Sequence, residues 1–326
     1  HPTTNANSAE MQQLLNTDPD FIRGSFWSDG QVRVSGREYN GLIDSPCFQN
    51  ADTTQQSLSC FSCHTMHKTA EDPRSVSTWA DTHQVSAGMD DNTACTQCHQ
   101  EFTVDVSAHT NHGVNSSGSS CYNCHMPYTS YGLLRSIRSH TVTTPSIQES
   151  VEVGRPNACN LCHLDQTLEW SGEHLRDWYD LPMPPLKDDE RNVAASILWL
   201  LTGDAGQRAI TASSYGWEPA QTASGTTWMI PYLGELLGDP YAAVRYIAAD
   251  SMRSLPGYEG LNYDFVATRE ERFEHALDAL TTWRNSTQSG NRRDPQLLFN
   301  EDGSLDTAKM RQFFSLRNTR PLFLRE

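Results

Sequence analysis

One five-residue pattern occurs four times in the first half of this chain. The copies are Cys60-Phe61-Ser62-Cys63-His64, Cys95-Thr96-Gln97-Cys98-His99, Cys121-Tyr122-Asn123-Cys124-His125 and Cys159-Asn160-Leu161-Cys162-His163. Eight of the nine cysteines lie in these copies. Two thiols three residues apart, followed at once by histidine, suit covalent attachment of haem. The thiols add across the two vinyl groups and the histidine becomes the proximal axial ligand. Zinc knuckles also use C-x-x-C, but they require no histidine after the second cysteine. Histidine is 12 of 326 residues, so four such histidines by accident would be on the order of one in half a million. A thioredoxin-like pair would come once, beside a βαβ pattern. The repeat therefore predicts four covalent c-type haems, with electron transfer as the default chemistry.

Composition is consistent with a chain whose core is partly cofactor. Hydrophobic residues make up only 37% and mean hydropathy is -0.59. Four apolar macrocycles can replace the missing Leu and Ile in the cysteine-rich half. No run nears the roughly 18 apolar residues of a membrane span. Formal net charge is -16, and the only lysines are Lys68, Lys187 and Lys309. Such a surface argues against nucleic acid as a partner. Arg135, Arg138 and Arg155 lie among the motifs, where they can pair with haem propionates or face solvent. The chain opens at His1 with neither Met nor an apolar leader, as expected after signal-peptide removal. Covalent haem attachment takes place outside the prokaryotic cytoplasmic membrane. The expected location is thus the periplasm or the cell exterior, with redox proteins or an extracellular acceptor as partners.

The fold class expected is mostly α and irregular, in three parts. Residues 1–45 read as a polar arm followed by a small β hairpin. Ser28-Asp29-Gly30 supplies the turn, and Gln31-Val32-Arg33-Val34 alternates polar and apolar. Residues 46–180 read as a loop-rich tetrahaem domain, its links rich in Ser, Thr, Gly and Asn, folding around its cofactors. After Pro182-Met183-Pro184-Pro185 the pattern changes, and residues 186–326 read as an α-helical domain. Val193, Ile197, Leu198 and Leu201 share one helical face. Val244, Ile247, Ala248, Met252 and Leu255 share another, and Phe273, Leu277, Leu280 and Trp283 a third. Asp239-Pro240-Tyr241-Ala242-Ala243-Val244-Arg245 resembles the second helix of a HEAT repeat.

Each iron also needs a sixth-position ligand. Two histidines close the centre for electron transfer, whereas an open position admits substrate. His67 follows proximal His64 by three residues and can reach a neighbouring haem. His109 and His112 lie about one turn apart if helical and can serve two adjacent haems. His140 sits midway between the third and fourth motifs. These four are the expected distal ligands, with His83 the main competitor. His174 is expected to pack or lie at the surface, and His275 to be exposed. His1 could ligate a haem in a neighbouring subunit. Met66, Met89 and Met126 are the minority alternative. Cys47 is the odd cysteine, read as a buried thiol or an intermolecular disulfide partner.

The stretch from Asn92 to Tyr179 resembles a family of multihaem cytochromes often joined to HEAT or tetratricopeptide repeats. The resemblance rests on the second to fourth motifs and on Ala108-His109-Thr110-Asn111-His112. It continues through Met126-Pro127, Tyr131-Gly132-Leu133-Leu134-Arg135, Ile137-Arg138-Ser139-His140 and Arg155-Pro156-Asn157. Gly36-Arg37-Glu38-Tyr39-Asn40-Gly41 and Ser45-Pro46-Cys47-Phe48-Gln49 add to it. It implies the same distal histidines and does not demand His83. Three functions follow as expectations. The first is an electron conduit, compatible with self-assembly into an extracellular filament. The second is an oxidoreductase with an open haem acting on a small nitrogen or sulfur oxyanion, which the surplus of histidines disfavours. The third is an interaction protein in which the haems serve as redox sensors.

Overall fold

The computed structural model describes residues 19–49, 58–286 and 293–322. Most of the expected N-terminal arm, including His1, lies outside these residues. The cysteine-rich half is a string of short helices joined by turns. They are Pro19–Ser25 (α1), Glu38–Asp44 (α2), Pro46–Gln49 (α3), Val76–Asp81 (α4), Thr93–Thr96 (α5), Val106–Thr110 (α6), Cys121–His125 (α7), Ile147–Glu152 (α8) and Ala158–Cys162 (α9). Their starts are set by short polar side chains. Ser75, Asp105, Ser146 and Asn157 each accept from a backbone N–H in the first turn of α4, α6, α8 and α9. A chain so rich in Ser, Thr, Asn and Gly offers many caps and few long apolar faces, so the helices stay short.

The expected β structure is present but mostly in another place. Residues 25–34 form the predicted turn, with Trp27 N–H donating to Gln31 O at 2.8 Å. Only the single antiparallel bridge Phe26–Val32 results, and Glu38–Asp44 is helical. The two-stranded antiparallel sheet is Ser130–Gly132 (β1) with Arg135–Ile137 (β2), Tyr131 standing opposite Ser136. Its turn residues Leu133 and Leu134 have φ of 50° and 61°. A two-residue hairpin needs this left-handed backbone, and Leu meets it at a steric cost. Val34 joins the edge by a parallel bridge to Tyr131.

The second half is predominantly helical. Its elements are Leu168–Tyr179 (α10), Asp188–Asn192 (α11), Ala195–Thr202 (α12), Ala205–Tyr215 (α13), Glu218–Ser224 (α14), Ile230–Leu237 (α15), Ala242–Arg253 (α16), Arg269–Asn285 (α17) and Thr307–Ser315 (α18). α12 packs on α13 and α15 on α16, while α13 lies against α16 and α12 against α15. Val193, Ile197 and Leu201 are buried, as are all five predicted residues of α16 and its C-terminal turn. The third predicted face is corrected in part. Phe273 is 67% exposed and Leu277 48%, whereas Trp283 is buried as expected, Leu280 is half-buried and Ala279 is buried beside them. α17 meets α15 through its second half, and its first turns carry their apolar residues outward. Among the described residues no helix is long and apolar enough to cross a membrane.

Arginines tie the two halves together. Arg33 pairs with Asp204, whose carboxylate also caps α13, and lies over the Trp27 ring at 4.3 Å. Deeper inside, Arg208 forks onto Asp239 at 2.7 and 3.0 Å. Arg317 reaches the same carboxylate at 3.3 Å, and Arg208 also donates to Gly203 O and Asn318 O. Asp239 and Arg208 are almost fully buried. Breaking such a cluster from one side leaves buried charge uncompensated. Asp239→Ala is therefore expected to cost about 3–5 kcal/mol, read as a lowered thermal midpoint of the haem-loaded protein. Retention of the wild-type midpoint would show that the cluster is dispensable.

Candidate haem centres

Every Cys-x-x-Cys-His copy closes one turn of helix. His64 N–H donates to Cys60 O at 2.9 Å, His99 N–H to Cys95 O at 3.0 Å and His163 N–H to Cys159 O at 2.7 Å. The third copy is α7 itself. Residues i, i+3 and i+4 then lie on one side of the turn, which presents both thiols and the imidazole together. Among the described residues no three His, Cys, Asp or Glu side chains converge as a zinc site needs. Burial pushes the Cys124 and Cys162 thiols up to about 11.

Three of the four motif histidines face a second imidazole from a distant part of the chain. His64 and His140 have ring centroids 6.3 Å apart and planes 20° from parallel. His125 and His109 are 6.1 Å apart at 6°, and His163 and His112 are 6.1 Å apart at 33°. Two imidazoles on opposite sides of one metal ion have a predictable spacing. With bonds of about 2 Å and about 1.1 Å from nitrogen to ring centre, the centroids lie roughly 6 Å apart. The observed gaps are too wide for ring stacking contact and fit an intervening iron with its macrocycle.

Backbone carbonyls fix the ring orientation. Nδ1 lies 3.0 Å from His83 O in His64, 2.8 Å from Thr143 O in His125, 2.6 Å from Thr110 O in His112 and 3.2 Å from Arg138 O in His140. A carbonyl can only accept, so Nδ1 carries the proton and Nε2 is left bare for metal. Burial lowers the pKa of His125 and His140. It takes His163 down to about 4, with His112 and His174 adding to the effect. These imidazoles are thus neutral, the form that binds a metal. Gly118 makes room for His112, because a Cβ there would sit 2.1 Å from the imidazole Cδ2.

His109 and His112 face different motifs, but they do not share one helical face. α6 stops at Thr110, and Asn111 turns the chain with φ 55° before His112. That reversal aims the first ring at the third motif and the second at the fourth. His83 offers its carbonyl, and its ring is exposed. His83 and Gln84 have φ of 57° and 60°, which turns that carbonyl back onto His64. His67 is exposed, and among the described residues no ring stands against it. The His99 side chain is 53% exposed, with Glu101 at 3.5 Å from Nδ1 and the Phe102 ring 6.3 Å away.

The remaining sequence candidates fall as follows. Arg155 is buried between Asp29, Glu149 and Gln31. Arg138 donates to Tyr122 O, Met126 O and Asn123 Oδ1 and stacks over Tyr128 at 4.3 Å. Both arginines therefore brace the protein, while Arg135 is exposed. Cys47 is half-buried, and burial raises its thiol pKa. His275 is half-buried and edge-on to Tyr263 at 5.9 Å.

Sequence reasoning did not identify an aromatic collar. Trp170 lies 4.9 Å from His163, His174 lies between Trp170 and Trp178 at 4.2 and 4.8 Å, and Trp178 is edge-on to His112 at 6.2 Å. Tyr179 sits 6.0 Å from His109 and donates its hydroxyl to His109 O at 2.5 Å. The signal was available as Trp-x3-His-x3-Trp, one stripe along α10.

Residues 79–164 match the family model described as cytochrome c7 and related cytochrome c. No curated protein and no solved structure matches the chain. The matched stretch contains the last three motifs and His109, His112 and His140. In that stretch the chain is similar to cytochrome c7 and its relatives, and the chemistry this supports is electron transfer by covalent c-type haem.

Proposed function

We propose that the chain is a tetrahaem electron relay working in the periplasm or outside the cell. Its eight motif cysteines hold the four haems. His64, His99, His125 and His163 are the proximal ligands, and His140, His109 and His112 close three of the centres. The observation that carries this reading is the recurring gap of 6.1–6.3 Å between facing imidazoles. Bis-histidine iron has no vacant position, so it changes oxidation state with little rearrangement, which suits relay. The Cys95 and Cys121 side chains lie within hydrogen-bonding reach of each other, which supports close packing of the second and third haems. Residues 46–180 serve as the cytochrome region. Residues 186–326 are a HEAT-like scaffold, a reading supported by α13 stacking on α16 and α12 on α15.

A second reading concerns the His99 centre. No histidine faces His99 among the described residues, and its ring is exposed beside Phe102. Left open, this iron could bind a small nitrogen or sulfur oxyanion and act as an oxidoreductase. Closed by His67, or by a histidine such as His1 from a second copy, it joins the relay. Closure between copies would also link them into a polymeric conduit.

Intact-mass analysis with pyridine haemochrome assay is expected to give four haems per chain. Three or fewer would remove a motif from the scheme. Gly118→Ala should displace His112, altering the low-spin signature of one centre and leaving the haem count intact. An unchanged EPR spectrum would contradict the assignment of His112 as a ligand. Treatment with cyanide separates the readings of His99. An open iron shifts its spectrum within seconds, and a closed relay does not.

A further inference from the structure

The C-terminal end of α10 carries an exposed aromatic pair beside the ligand histidines of two centres. Trp178 is 39% exposed and Tyr179 37%. Trp178 meets the His112 ring, and Tyr179 meets His109 through both its ring and its hydroxyl. Large rings at a surface supply contact area at little entropic cost and are enriched where proteins bind one another. Here they also form a short connection between solvent and two axial ligands.

Charge around this pair favours one kind of partner. Glu173 and Asp177 lie four residues apart, one position round the helix from the Trp170–His174–Trp178 stripe, and Asp180 follows at the end. All three acids are exposed. Arg176 pairs with Asp177 at 2.9 Å, which leaves the excess at this end negative. The negative pole of the helix points the same way. An acidic rim around an apolar contact attracts and orients a partner of the opposite design.

We propose that this surface is the docking site for a redox protein with a basic contact face, placed against Trp178 and Tyr179. The proposal rests on the haem relay reading. One electron passes from a ferrous haem of this chain to the oxidised centre of the partner. Iron is oxidised by one unit, the partner is reduced by one unit, and no bond is made or broken.

The test uses the full-length, haem-loaded, pre-reduced protein. Stopped-flow absorbance follows its oxidation by a ferric cytochrome c of strongly basic surface, and separately by hexacyanoferrate(III). Glu173→Lys/Asp177→Lys should slow the basic cytochrome roughly tenfold at low salt and flatten its ionic-strength dependence. The same variant should not slow hexacyanoferrate. Glu270→Lys/Glu274→Lys on α17 removes equal charge elsewhere and should leave both rates within about twofold. Glu173→Gln/Asp177→Asn gives an intermediate loss and serves if the reversed variant assembles poorly. Equal slowing by the α10 and α17 variants would overturn the proposal, because attraction would then come from net charge alone. Failure of the relay reading would look different, with no haem oxidation by either reagent.

Discussion

The separation of facing imidazoles is the constraint on which the haem half depends. An iron held from both sides needs two rings about 6 Å apart, and no motif can supply both. In the proposed scheme His64 meets His140, His125 meets His109 and His163 meets His112 across an iron. Long loops are the consequence, since the chain must return to each motif from elsewhere. Unusual backbone follows as well. Asn111 adopts left-handed φ between His109 and His112, and His83 does so where its carbonyl accepts from His64. Such conformations cost free energy that the surrounding contacts must offset.

The helical half supplies the rigidity that the haem half cannot supply with apolar residues. β1 and β2 pack on α13, and α9 packs on α14. Ser224 accepts from Leu164 N–H and donates to Cys162 O, holding the fourth motif against α14. The core is continuous from Trp27 and Tyr131 through Leu161 to the α15–α16 layer. Fixed ligand geometry lowers the reorganisation needed when an iron changes charge, so this buttress bears directly on electron transfer.

Much of the site was legible in the sequence because attachment chemistry is local. The four motifs declare themselves within five residues each. Of the four histidines expected as second ligands, His109, His112 and His140 stand opposite motif histidines, while His67 is exposed with no ring against it among the described residues. The fold was less legible where non-local contacts decide. Leu133-Leu134 carries no turn signature, so the hairpin was expected near Ser28–Gly30 instead. Phe273 and Leu277 fit a helical period but face outward, because periodicity fixes which residues share a face and not what covers that face. His83 competes with the chosen ligands by position, and in the structure it is its carbonyl that turns onto His64. The stripe of Trp170, His174 and Trp178 was visible as spacing. Its meaning emerged only once His163 and His112 stood beside it.

Low-temperature EPR of the fully oxidised protein tests the central claim most directly. The account predicts low-spin ferric signals from at least three bis-histidine centres, with any high-spin signal confined to one haem at His99. High-spin signals from two or more haems would contradict it, because the paired imidazoles would then not be holding iron between them.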